Sequence, residues 1–166
     1  MILPAKHLTK LGKRVDYILS LKYDSSICTP KRNPNMPHKQ LLPEGWPQPR
    51  GYANGVAASG TEIIFLGGQI GWDINGNFPS NEFLGQLRQT LENVKAVLNA
   101  AQLSHEDMTR MTWYLTDKAA YTENLPEIGK VYRDIMGRNF PAMSVVEVSA
   151  LVEDEALVEI EVTAVK

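Results

Sequence analysis

The chain has 166 residues, 43% hydrophobic and 22% charged, with a mean hydropathy of −0.23 and a net charge of −2. That balance excludes a chain disordered throughout, and the length suits one domain with its own core. A single cysteine, Cys28, excludes an internal disulfide and a multi-thiolate metal centre, no apolar run reaches the roughly 18–20 residues of a membrane span, and a pI near 5.9 argues against a dedicated nucleic-acid binder.

The charge is unevenly spread. Residues 1–40 hold eight Lys/Arg against two Asp/Glu, a net +6, whereas residues 41–166 hold nine against seventeen, a net −8. The first forty residues lack sustained periodicity. Only residues 8–22 suit a short helix, with Leu8, Leu11, Val15, Ile18 and Leu19 on one face. A Pro-rich tether is expected over residues 29–49. Residues 1–40 are read as an appendage, either a flexible arm or an extension ahead of a start at Met36. Asp16, Asp24 and the few serines argue against a transit peptide. Residues 41–166 form the expected domain.

Within that domain, residues 51–57 and 62–69 are short β-type runs divided by the turn pair Ser59-Gly60. Asn75-Gly76 is a tight-turn signal, because both residues tolerate positive φ. A helix is predicted over residues 80–101. Leu84, Leu87, Leu91, Val94 and Leu98 fall on one face, and Ser80 or Asn81 is positioned to cap it. Ser104-His-Glu-Asp107 reads as a one-turn capped connector.

Residues 108–115 alternate like a half-buried strand, with Thr109, Met111, Trp113 and Leu115 on one face and Met108, Arg110, Thr112 and Tyr114 on the other. A second helix begins near Asn124, carries Pro126 in its first turn, presents Ile128, Val131, Tyr132 and Ile135 to the core, and ends at Gly137. Strands follow over residues 143–151 and 156–165. The order is β-β-α-β-α-β-β, an α+β fold with one mixed sheet and two helices on a single face. In the last strand Val158, Ile160 and Val162 point one way, while Glu159 and Glu161 point to the uncovered face. Such a face is expected to be buried in an oligomer, with Glu159 in a cleft between subunits; a solvated strand position is the alternative for both glutamates.

Five ordered blocks carry a resemblance over residues 50–166. They are Gly51-Tyr-Ala-Asn-Gly-Val56, Phe65-Leu-Gly-Gly-Gln-Ile70, Gln86-Leu-Arg-Gln-Thr-Leu-Glu-Asn-Val-Lys-Ala-Val-Leu98, Phe140-Pro-Ala-Met-Ser-Val-Val-Glu-Val148 and Val158-Glu-Ile-Glu-Val-Thr-Ala-Val165. The chain resembles the RidA/YjgF family, also known as endoribonuclease L-PSP or translation-inhibitor-like proteins. The resemblance implies a chorismate-mutase-like fold, a barrel-like homotrimer with clefts between subunits, and hydrolysis of reactive enamines or imines to keto compounds and ammonia. It implies a cytoplasmic protein acting on a small molecule without a metal or organic cofactor.

Carried over residue by residue, Tyr52 and Glu159 match the family's cleft tyrosine and water-orienting carboxylate. Gly68 and Gln69 match a Ser-Gly-Gln motif whose first position is Gly67 here. Met143 stands where the deaminases carry an arginine that grips the substrate carboxylate, Val145 replaces a small polar residue or cysteine, and the deaminases' helix asparagine falls on Leu125. Methionine has neither charge nor fork, and losing such a contact costs roughly 1.5–3 kcal/mol. Poor activity on 2-iminobutyrate is therefore expected. Arg50 and Arg110 are the candidate replacements for the clamp, with surface arginine as the alternative.

The remaining residues read more simply. His7, His38 and His105 lack metal-ligand spacing, Trp72 and Tyr114 are expected to pack in the core or an interface, and Cys28 has no histidine nearby. Three functions follow: a hydrolytic deaminase of an enamine, imine or aminomuconate-like metabolite; a non-catalytic trimer that binds a small metabolite; and a ribonuclease. The −8 of residues 41–166 opposes the last, since a phosphate backbone wants the opposite sign.

Overall fold

A computed structural model describes residues 38–166. The expected helix over residues 8–22, Cys28, His7 and residues 29–37 of the tether lie outside the described residues. The described part contains β1 (Lys39–Leu41), β2 (Gly55–Ala57), β3 (Ile63–Gln69), α1 (Phe83–Ala100), a 3-10 turn (His105–Asp107), β4 (Met108–Leu115), α2 (Lys118–Thr122), α3 (Leu125–Met136), β5 (Ala142–Glu147) and β6 (Val158–Val165).

Four strands make one mixed sheet in the order β3-β6-β4-β5. β6 is antiparallel to both neighbours, and β4 pairs parallel with β5. β3 and β4 therefore run the same way with β6 inserted between them. The crossover through α1 does return the chain parallel, but to a strand one place removed.

One face of this sheet meets the helices. Leu87, Leu91, Val94 and Leu98 of α1 are fully buried, as are Val158 and Ile160 of β6 and Met111 of β4. Burying each such side chain contributes about 1.5–3 kcal/mol before chain entropy is counted. α3 packs beside α1, bringing Ile128, Val131, Tyr132 and Ile135 into the same cluster. Pro126 lies in its first turn, and Gly137 closes it at φ 62°.

Gln86 is the polar anchor of this layer. It is 1% exposed, and its amide nitrogen donates to the carbonyls of Ser80 (3.1 Å) and Glu155 (2.8 Å). Its amide oxygen accepts from the Leu157 N–H at 2.8 Å. Three partners satisfy a buried amide and tie the first turn of α1 to the approach of β6.

Several elements differ from the sequence pattern. Lys39–Leu41, expected in the tether, is a strand that pairs antiparallel with β2 in a separate two-stranded ribbon. The predicted strand over residues 51–57 shortens to β2, because Gly51 takes φ 80° and bends the chain. The segment reaches the main sheet through a single bridge, in which the Ala53 N–H donates to the Pro141 carbonyl at 2.9 Å.

The first long helix starts at Phe83 rather than Ser80. Its N-cap is Glu82, which makes no side-chain cap bond, so neither Ser80 nor Asn81 caps it; Ser80 Oγ instead accepts from the Glu82 N–H at 3.1 Å, ahead of the helix. The Ser104 connector has the expected capping box with Asp107. α2 had no apolar periodicity to announce it; Asp117 caps it by accepting from the Ala119 N–H at 2.7 Å.

Met108 provides a clear correction. Simple alternation puts it opposite Met111, yet both are fully buried in the core. The register of β4 against β6 slips between Met108 and Arg110. This bulge at Thr109 resets the parity, and the Thr109 hydroxyl donates to the Thr163 carbonyl at 3.0 Å.

Candidate functional site

A cleft of about 840 Å³ opens on the helix side, at the β5 edge of the sheet. Met143 and Val145 form part of its wall from β5, Leu125 comes from the start of α3, and Arg50 and Tyr52 come from the bent segment before β2. Met143 and Val145 are half-buried against the core, so they face the helices.

Aromatic rings make up much of the interior. Tyr132 stacks on Phe140 with centroids 5.3 Å apart and lies 6.4 Å from Trp113, which meets Tyr121 edge-on at 6.2 Å. The Tyr132 hydroxyl donates to the Asn139 carbonyl at 2.7 Å, and burial pushes its pKa far above the ordinary phenol value. Burial raises Tyr121 in the same direction. These phenols remain neutral, and the chamber is suited to a flat or apolar group.

Glu159 lies on the other side of the sheet. It alternates with the buried Val158 and Ile160, and its register partner on β4 is Tyr114. Its carboxylate rests over Gly68: a Cβ built there would lie 1.7 Å from Glu159 Oε1. Room for this comes from the irregularity between Leu66 and Gln69, where β3 slips against β6. Gly67 has open space where a side chain would be. Gln69 turns its amide nitrogen back to the carbonyls of Gly67 and Gly68, at 3.2 and 3.3 Å.

Glu161, next on this face, accepts from the Tyr114 hydroxyl at 2.8 Å, and that bond to a carboxylate is the main reason the Tyr114 pKa is raised. Glu161 is thus engaged within the chain. Arg110 lines a smaller cleft of about 280 Å³ on this side with Phe65, Gly67 and Glu161.

The family described as Endoribonuclease L-PSP matches residues 47–166. The chain belongs to the RidA/YjgF family. A RutC family protein of Pyrococcus horikoshii is 36% identical over 128 residues, covering 76% of this chain and 96% of that one. The 3-aminoacrylate deaminase RutC of Acinetobacter baylyi is 34% identical over 127 residues, covering 75% and 95%. Among solved structures, a Rid family protein of unknown function from Yersinia pestis matches with a TM-score of 0.71 at 29% identity, covering 79% of this chain and all of that one. The fold is the chorismate-mutase-like α+β fold expected from the sequence.

Within this RidA/YjgF chain the singled-out residues fall into two groups. Arg50, Tyr52, Leu125, Met143 and Val145 share the helix-side cleft. Glu159 and Gly68 touch one another on the opposite face of the sheet, with Gly67 beside them, and they do not line that cleft. Arg110, weighed as a clamp, lines the smaller cleft and is separated from Met143 by strand parity.

Sequence reasoning passed over Arg133, which also lines the helix-side cleft. The available signal was Gly129, one turn earlier on the same face, where an interior helix glycine has no propensity reason to be. Among the described residues no group of three or more His, Cys, Asp or Glu could hold a metal ion, and no helix is long and apolar enough to cross a membrane.

Proposed function

We propose that this RidA/YjgF chain is a hydrolytic deaminase of a reactive enamine or imine, working as a cytoplasmic homotrimer without a cofactor. The observation that carries the reading is the division of the site over two faces of one sheet. In the proposed trimer the β5 edge of one copy would lie beside the open face of the next, so that the neighbour's Glu159 and Gly68 complete the cleft walled by Met143 and Tyr52. Exposed apolar residues on the main sheet support such an interface: Phe65 is 77% exposed, Ile63 61% and Val146 43%. The deaminase names of the Acinetobacter baylyi relative and of the putative reactive intermediate deaminase TdcF of Escherichia coli, 35% identical over 116 residues, point the same way.

The chemistry asks little of the protein. An imine carbon is electrophilic, so a placed water adds to it while Glu159 accepts the water's proton. The C–N π electrons move onto nitrogen, which takes a proton to give the carbinolamine. That first proton reaches nitrogen from Glu159; Glu159 then takes the hydroxyl proton and passes it to the amine, and collapse to the carbonyl breaks the C–N bond and releases ammonia. Tyr52, 44% exposed at the cleft wall, holds the substrate beside the attacking water. An enamine first tautomerises to the imine by protonation at carbon.

Met143 favours a second reading, a non-catalytic trimer that binds a small metabolite in the same cleft, since a thioether supplies no grip for an acid. Ammonia release from freshly generated imines and enamines separates the two. Turnover by the native chain that disappears in Glu159→Gln supports the deaminase. A folded trimer silent across the panel supports the binder.

A further inference from the structure

Met143 leaves the cleft without a cation at its usual place, but not without cations. Arg50 and Arg133 both line it, and among the described residues neither side chain has an ion-pair or hydrogen-bond partner; the ion pair of that region joins Arg88 to Asp134 at 3.3 Å. Arg133 is the better placed of the two, because the helix makes room for it. A Cβ built on Gly129 would stand 2.9 Å from one guanidinium nitrogen of Arg133 and 3.7 Å from its Cζ and its other terminal nitrogen. The guanidinium therefore lies back over position 129, itself part of the cleft wall, on the surface that a side chain there would occupy. A glycine inside a twelve-residue helix weakens that helix, so its presence needs a reason.

We infer that Arg133, seated over Gly129, is the carboxylate-binding residue of this cleft, and that the acid it holds carries an aromatic or extended unsaturated side chain received among Tyr52, Tyr132 and Phe140. A guanidinium without an internal partner offers two parallel N–H donors to a carboxylate, at the edge of a chamber whose walls are rings and aliphatic side chains. In the single chain the cleft measures about 840 Å³, more than a four-carbon imino acid fills before a second copy meets its mouth. Rotating the grip from β5 to α3 would select a different, longer class of acid.

This inference rests on the helix-side cleft being the substrate pocket, so its test reads binding separately from turnover. The probes are phenylpyruvate, the keto acid that hydrolysis of an aromatic imino acid would yield, and its methyl ester, measured by calorimetry on the full chain. The native protein should bind the acid at least about tenfold more tightly than the ester, and Arg133→Gln should weaken acid binding by about 10- to 100-fold while leaving the ester unchanged. Arg133→Lys should recover part of the loss. Gly129→Ala should lose acid affinity like Arg133→Gln while its melting temperature holds or rises, a combination that a structural role for Gly129 would not give. Equal binding of acid and ester by the native chain, binding of neither, or full acid affinity in Arg133→Gln would overturn the assignment, as would an Arg50→Gln variant that alone abolishes acid binding. Acid held through Arg133 with no ammonia released from any imine would leave the clamp standing and remove the deaminase.

Discussion

The Glu159 carboxylate occupies the volume in which a side chain at Gly68 would have to stand. A glycine in β3 is thus matched to an acid on β6, and the pair holds that acid on the open face of the sheet. The neighbouring Gly67 is under no such constraint.

This pair makes a contrast between adjacent positions. Gly68→Ala places a methyl group 1.7 Å from Glu159 Oε1 and 2.5 Å from its Cδ, so the flexible carboxylate must swing away. The expected stability loss is modest, about 1 kcal/mol, but ammonia release should fall as far as in Glu159→Gln. Gly67→Ser, with open space around it, should leave both close to native. Thermal melts beside the ammonia assay check the contrast, and an active Gly68→Ala variant would detach Glu159 from the chemistry.

The proposed association rests on the exposed apolar residues of the same face. Phe65→Asp should convert the proposed trimer to monomers in sedimentation while the far-ultraviolet circular dichroism stays native, because a residue 77% exposed contributes little to the core of one chain. Turnover should be lost with association, since the cleft of one copy lacks the Glu159 of another. A monomer that keeps its full activity would contradict the shared site.

Gln86 supports a prediction about the fold alone. Replacing it with leucine removes the partners of the Leu157 N–H and of the Ser80 and Glu155 carbonyls. Buried groups left unpaired cost about 1–3 kcal/mol each, less where water reaches them, so Gln86→Leu should lose about 2–4 kcal/mol in urea unfolding. Little change would mean that the approach to β6 can hold itself in place.

Stability should fall at alkaline pH, and Tyr132 accounts for part of the fall. Burial raises its folded pKa above the value of about 10 that an unfolded tyrosine has. Its contribution is therefore fully present below pH 10 and is lost as pH rises toward the folded value. In that window the folded chain holds one proton more than the unfolded chain, a slope of about 1.4 kcal/mol per pH unit. Tyr132→Phe should make the decline above pH 10 shallower in denaturation curves. An unchanged slope would mean that other groups carry it.

Local spacing was enough to place both long helices, the strand at residues 108–115 and the inward set of β6, because each pattern repeats within a few residues. It failed at Met108, since the bulge at Thr109 reverses alternation and is visible only once β4 is laid against β6. It failed at Lys39–Leu41 for a similar reason: three residues become a strand by pairing with Gly55–Ala57, which no local pattern announces.

The candidate site divides along the same line. The sequence by itself determined which chemistry-bearing side chains are present: an acid at Glu159, a methionine at Met143, and glycines at 67 and 68. Only the tertiary structure decided their company. It put Met143 and Tyr52 in one cleft, turned Glu159 to the far side of the sheet, and laid Arg133 over Gly129 beside the methionine. Residue identity is a property of the chain, whereas proximity depends on strand order, on bulges that shift parity, and on which helix packs over which edge. These are set by contacts between residues distant in sequence.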